Sequence, residues 1–281
     1  MRQPSGRNWL RTAALDVAGL ALVVGVLAAV HFLGPAPLQR RLAFGHDLAR
    51  PHTLLTSAYV HNSDRHLWGN VVGYAAAAGY AYLICAGLGE RRWFRLTALA
   101  LFAVLPGLVN LASQFALALV YAGPLPPSRG FSGVAAGFAG FLYVAVLALV
   151  RAAYGPAAAK NAGLLLFAAL AAEVMAIYAD GPPVVGAALV ALLVGVVATD
   201  AGRRGSLPAS SGEWSTLLAV GLQVALVGAM LGLLVFGLFP ADVVVGGTFR
   251  NVFAHAAGLG FGATIAAWGY RYWGRAPGLS Y

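Results

Sequence analysis

Gly130-Phe131-Ser132-Gly133-Val134-Ala135-Ala136-Gly137-Phe138-Ala139-Gly140-Phe141-Leu142-Tyr143-Val144-Ala145-Val146-Leu147-Ala148-Leu149-Val150 contains no charged residue and is entered through one serine. The run is long enough to cross a bilayer as a helix, which takes about 20 apolar residues. A polar group placed in such a run is costly and reads as functional. Two other apolar stretches are interrupted in the same way. His255 lies within Val252-Phe253-Ala254-His255-Ala256-Ala257-Gly258, and His66 and Asn70 open a third stretch.

The rest of the chain is of the same kind. Of its 281 residues, 60% are hydrophobic and 10% charged, against about 25% charged in a soluble domain. The net charge of +9 rests on 17 Arg and one Lys, and membrane topology accounts for most of it. No basic stripe points to nucleic acid. Cys85 is the single cysteine, so no intramolecular disulfide is possible, and in an apolar helix it acts as a small hydrophobe. A basic N-terminus (Arg2, Arg7, Arg11) leads into the apolar stretch 18–33. That stretch is longer than a signal-peptide core and has no convincing cleavage site after it, so it is expected to be the first membrane helix.

Spans are expected near 13–34, 66–88, 96–121, 132–150, 161–179, 184–199, 215–239 and 251–270. This predicts an all-α, polytopic transmembrane bundle forming one membrane-embedded domain over 1–281. Pro- and Gly-rich turns separate the spans, and the longest connection, 35–65, is expected to lie partly in the interface. Basic residues favour the cytoplasmic side. With both termini inside, twelve basic residues fall in inner loops and six in outer ones. The plasma membrane is the simplest location. His66, Ser132 and His255 then lie near the outer face, each close to the start of an inward-running helix. This match survives whether 161–199 is two spans or a re-entrant hairpin.

A serine hydroxyl is a weak nucleophile without an adjacent base. His61, His66 and His255 are the imidazoles expected at that depth. The unpaired N–H groups at the head of the Ser132 helix, aided by its dipole, suit a developing oxyanion. Gly130 and Gly133 would let the backbone bend and a substrate approach. Val134 stands where the Gly-x-Ser-x-Gly elbow of soluble hydrolases has its second glycine, so that fold is not indicated. His66 and Asn70 share one helix face, and both can donate hydrogen bonds. His255, Gly258 and Gly262 share another face, where small residues allow close packing. That would bring His255 against the Ser132 helix.

Taken together, His61-x4-His66-x3-Asn70, Gly130-Phe131-Ser132-Gly133 and Ala254-His255-x2-Gly258-x3-Gly262 resemble the motifs of the rhomboid intramembrane serine proteases. They occur in that family's order and lie within about 50–270. The resemblance implies a six-helix core, here with about two extra membrane segments. It implies a dyad of Ser132 as nucleophile and His255 as general base. It also implies an oxyanion hole formed by His66, Asn70 and the Ser132 backbone N–H, and a structural role for His61. Membrane proteins with a transmembrane helix would be the substrates, cut near the outer surface, with no cofactor or metal. The bilayer is the other partner, and the oligomeric state is not indicated.

The chain departs from the family pattern in three places. His52 and Thr53 stand where a Trp-Arg pair is common. Ala136 replaces an aromatic residue that stacks on the catalytic histidine, so Phe131 or a residue of a neighbouring helix is expected to support the ring. Extra segments separate the serine and histidine helices, and 215–239 is the expected gate for substrate entry. Asp16, Asn110, Gln114, Glu173 and Gln223 are expected to make structural pairs. Glu173 has two further readings, as a neutral buried acid or as a partner to a histidine. The competing functions are a non-proteolytic client-binding relative and a metalloprotein liganded by His61, His66 and His255. The first of these usually lacks the serine or the histidine, and the second has no His-Glu-x2-His motif.

Overall fold

A lipid environment offers backbone N–H and C=O groups no water, so long apolar segments must satisfy them internally as helices. A computed structural model of the chain describes residues 6–46, 48–120, 127–179, 195, 211–245 and 248–274. Among these, helices α1 (Gly6–Leu33), α2 (Ala36–Leu42), α3 (Thr53–Thr56), α4 (Asp64–Gly87), α5 (Arg91–Ala103) and α6 (Leu105–Val120) precede the serine. Helices α7 (Ser132–Tyr178), α8 (Ser211–Leu238) and α9 (Val252–Trp273) follow. Two antiparallel strands of two residues each, Val244–Val245 and Thr248–Phe249, join α8 to α9. Among the described residues, four segments are long and apolar enough to cross a membrane, Leu10–Leu33, Ser132–Tyr178, Leu217–Leu238 and Val252–Trp273, and the bent pair Arg91–Ala103 and Leu105–Val120 makes a fifth if it is one span. The chain is a helical, multi-pass integral membrane protein.

The expected span 96–121 is not one straight helix. It begins earlier, at Arg91, and breaks at Val104, with a bend of 48° between α5 and α6. Pro106, the second residue of α6, is the cause. It has no N–H for the carbonyl four residues back, so it is tolerated only in the first turn of a new helix.

The segments 132–150 and 161–179 do form separate limbs, but no loop 151–160 divides them. Helix α7 runs through, apart from Gly155 at φ 84° and ψ 177°, next to Pro156. A positive φ with extended ψ is a glycine conformation, and here it turns the chain back on itself. The Tyr143 hydroxyl donates to the Gly163 carbonyl at 2.9 Å, so limb 156–178 packs antiparallel to limb 132–154. In that register, residues near 173 return to the level of Ser132. The expected sixth segment, 184–199, lies outside the described residues except for Gly195, which sits against Leu165.

Limb 132–154 occupies the centre, and Val134 to Leu142 are buried without a break. A helix that is apolar all round belongs in such a position. On one side Tyr74 of α4 meets Phe131 and Phe138 edge-on, while Phe102 of α5 stacks on Phe131 and lies tilted against Phe138. On the other side, a seam of glycines joins α7 to α9. A Cβ on Gly258 would strike the Gly133 carbonyl, one on Gly262 the Gly137 carbonyl, and one on Gly140 the Leu259 carbonyl. Small residues on both helices thus let the two backbones touch.

Three of the polar residues expected to pair structurally, Asp16, Asn110 and Gln114, do so. Asp16 accepts from Arg95 Nε at 2.6 Å and Nη2 at 3.1 Å, fastening α1 to α5. Asn110 donates to the Leu54 carbonyl at 2.7 Å and to Ser57 Oγ at 2.9 Å. Gln114 donates to the His46 carbonyl at 2.7 Å.

Candidate active site at the head of α7

Ser132 is the first residue of α7, and its position is set by the preceding turn. Ser128 and Phe44 exchange backbone hydrogen bonds of 3.0 and 2.9 Å, and the Gly130 N–H donates to the Ser57 carbonyl at 3.0 Å. His46 joins Ser128 Oγ at 2.9 Å to Gln114 Oε1 at 2.9 Å. The Phe131 N–H donates to His61 Nε2 at 3.3 Å. An imidazole nitrogen that accepts must be unprotonated. Burial holds the His61 ring down to about 3, with smaller contributions from His66 and His31, so it stays neutral at physiological pH. His61 therefore fastens the turn before the serine.

The head of α9 reaches the same turn through Asn251, whose amide nitrogen lies 3.5 Å from Ser128 Oγ. Asn251 accepts from the Ala254 N–H at 3.1 Å, capping the helix, and its amide donates to Ser113 Oγ. His255 falls in the first helical turn, and its Nε2 lies 2.9 Å from Ser132 Oγ. Its Nδ1 meets the Leu238 carbonyl. A carbonyl can only accept, so Nδ1 carries the proton and Nε2 presents its lone pair to the serine hydroxyl. Leu238 is the last residue of α8. Its carbonyl belongs to the unpaired set at a helix C-terminus, where the dipole is negative. It occupies the place that a carboxylate holds in a triad, fixing the tautomer.

Phe131 does not support the His255 ring. It is buried against Tyr59 and Tyr74, with ring centroids 5.9 and 5.5 Å away. Phe239 meets His255 edge-on at 6.3 Å and, with the Leu238 carbonyl, holds the ring. Ala136 lies on the glycine seam, where a Cβ on Gly258 would come within 3.1 Å of the Ala136 methyl. A larger side chain there would push α7 and α9 apart.

His66 and Asn70 lie against the turn that leads into Ser132. A Cβ on Gly130 would lie 2.6 Å from His66 Cε1, 2.7 Å from His66 Nε2 and 3.5 Å from Asn70 Nδ2. Gly130 also has φ 122°, so two independent constraints require glycine there. The Asn70 amide nitrogen is buried with no hydrogen-bond partner among the described residues. A buried polar group left unpaired in a folded protein calls for an explanation, and an amide awaiting a transient anion supplies one. For attack of Ser132 Oγ on a carbonyl, the chemistry this arrangement allows, Asn70→Ala is expected to lower kcat by about 10²–10³-fold with little change in KM. Steady-state kinetics on the reconstituted protein would check this.

A cleft of about 1900 Å³ opens onto these groups. Its walls are α4 (His66, Asn70, Gly73), the returning limb of α7 (Glu173, Ile177) and the end of α8 (Leu234). Helix α8 packs along α7 but meets α4 sparsely. Glu173, one of the residues expected to pair structurally, is 2% exposed and lines this cleft. Among the described residues, no group of three or more His, Cys, Asp or Glu is arranged to hold a metal ion.

The structure thus brings together Ser132, His255, His66, Asn70, Gly130 and Gly133, with His61 behind the turn and Gly258 and Gly262 in the seam. Sequence reading missed the Leu238 carbonyl, the His46 brace and the glycines Gly137 and Gly140. Compared with protein-family models, curated proteins and solved structures, the chain matches none.

Proposed function

We propose that the chain is an intramembrane serine endopeptidase of the rhomboid type. The observation that carries this reading is the 2.9 Å approach of His255 Nε2 to Ser132 Oγ, at the head of an apolar helix facing a cleft. His255 would take the serine proton as Oγ attacks a peptide carbonyl of the substrate. The oxyanion would be received by the Ser132 N–H, His66 and Asn70. Collapse of this intermediate would release one fragment as an amine, protonated by His255. Water entering through the cleft would then hydrolyse the acyl-enzyme, with His255 again acting as base.

In this reading the six-helix core carries about two additional segments, giving eight spans with both termini cytoplasmic in the plasma membrane. Helix α8, loosely apposed to α4, would be the side by which a substrate helix enters. The non-proteolytic alternative is disfavoured because both members of the pair are present and hydrogen-bonded. The metal alternative is disfavoured because both His255 nitrogens are engaged.

The test is reconstitution with a single-span substrate labelled at both ends. Two fragments whose new termini map to the outer part of the span support the reading, while an intact substrate under all lipid conditions counts against it.

A further inference from the structure

Basic residues are scarce in outer loops when topology follows charge, so those that do occur there need a reason. Of the six assigned to the outer side, Arg65, Arg129 and Arg250 line the cleft, whereas Arg40, Arg41 and Arg50 do not. Arg65 lies in the first turn of α4, Arg129 three residues before Ser132, and Arg250 two residues before α9. The three therefore converge on the end of the cleft where α4, α7 and α9 begin. None has an ion-pair partner among the described residues, and Arg129 Nε is buried without a hydrogen bond. Among the described residues, Asp242 and Glu173 are the acids that line the cleft.

We propose that this mouth is a subsite for acidic side chains on the extramembrane flank of the substrate, and that it rejects basic flanks. The inference rests on the peptidase reading and adds substrate selection to it. A span whose outer end enters the cleft must carry its flanking residues across these guanidinium groups. Arg pairs well with carboxylates through its fork of donors, while like charges brought together are penalised. The selection also sets direction. The outer flank of a membrane helix is normally poor in Lys and Arg and its inner flank is rich in them, so the mouth would favour the correct end. Anionic lipid headgroups share this chemistry, but the three residues line the same cleft as Ser132 and His255, whereas Arg40, Arg41 and Arg50 do not.

The test is a binding measurement, so it does not depend on turnover. Full-length Ser132→Ala protein in nanodiscs of neutral lipid is titrated with fluorescent single-span peptides carrying two Asp, two Ala or two Lys on the outer flank. Exposed charge pairs are individually weak, so the Asp peptide is expected to bind about tenfold more tightly than the Lys peptide. The preference should shrink at high salt. In the Arg65→Glu/Arg250→Glu double variant, at two exposed positions, the order should reverse. Equal binding of the three peptides, no binding of the Asp peptide, or a response to added anionic lipid but not to the flank would each overturn the proposal. Cleavage of the Ala peptide by the wild-type protein, measured in parallel, reports on the peptidase reading alone.

Discussion

Ser132→Ala and His255→Ala are each expected to reduce cleavage of a single-span substrate by about 10⁴-fold or more, and the double variant to be no worse than either single one. Members of a nucleophile–base pair act as one unit, so their losses do not add. The geometry behind this expectation is the 2.9 Å contact between Oγ and Nε2, with Nδ1 committed to the Leu238 carbonyl. Removing Oγ leaves no nucleophile, and removing the imidazole leaves a hydroxyl that ionises poorly. Neither change should disturb the bundle, because the turn before Ser132 is held by His61, His46 and Ser57 and the α9 cap by Asn251. Kinetics on the three variants, with melting curves showing that each still folds, would check this. Additive losses would mean that the two residues act separately.

Gly258→Val is expected to be nearly as damaging to activity, although it touches no reacting group. A Cβ at this position would strike the Gly133 carbonyl and approach Ala136. Backbone atoms cannot yield as a flexible side chain can, so α9 must move away from α7. His255 lies one helical turn from Gly258, so the displacement carries directly to Ser132. A misplacement of about 1 Å can cost about 10²-fold in rate, and overpacking a tight interface costs about 1–3 kcal/mol of stability. Gly260→Val is the control, because nothing lies within 4 Å of a Cβ there. The prediction is a loss of about 10²-fold or more in kcat for Gly258→Val and wild-type behaviour for Gly260→Val. Comparable kinetics for the two variants would remove the seam from the account of the site.

The sequence made these residues visible to different degrees. Ser132 and His255 stood out because a polar group in an apolar run is expensive, and Gly258 and Gly262 because their spacing places them on one face with His255. Gly137 and Gly140 continue the pattern from Gly133, but a glycine in an alanine-rich helix carries no mark of the partner it faces. The Leu238 carbonyl was invisible in principle, since every residue has one and only the end of α8 shows which is unpaired. The break at Val104 follows from Pro106, yet hydropathy averaged over 96–121 runs smoothly across it. The spans 132–150 and 161–179 leave residues 151–160 between them in sequence, but the reversal takes only Gly155, because a one-residue turn between two long helices depends on φ, which composition does not report. Ala136 looked like a missing support for the histidine. In three dimensions it is part of the seam, and the aromatic neighbour of the ring is Phe239.

Labelling with a fluorophosphonate is the most direct test of whether Ser132 and His255 form a working pair, because it needs neither a substrate nor a gate. The wild-type protein in mild detergent should be modified at Ser132, and both Ser132→Ala and His255→Ala should lose the label while remaining folded. A folded wild type that takes up no label, or a His255→Ala variant labelled at the wild-type rate, would contradict the dyad.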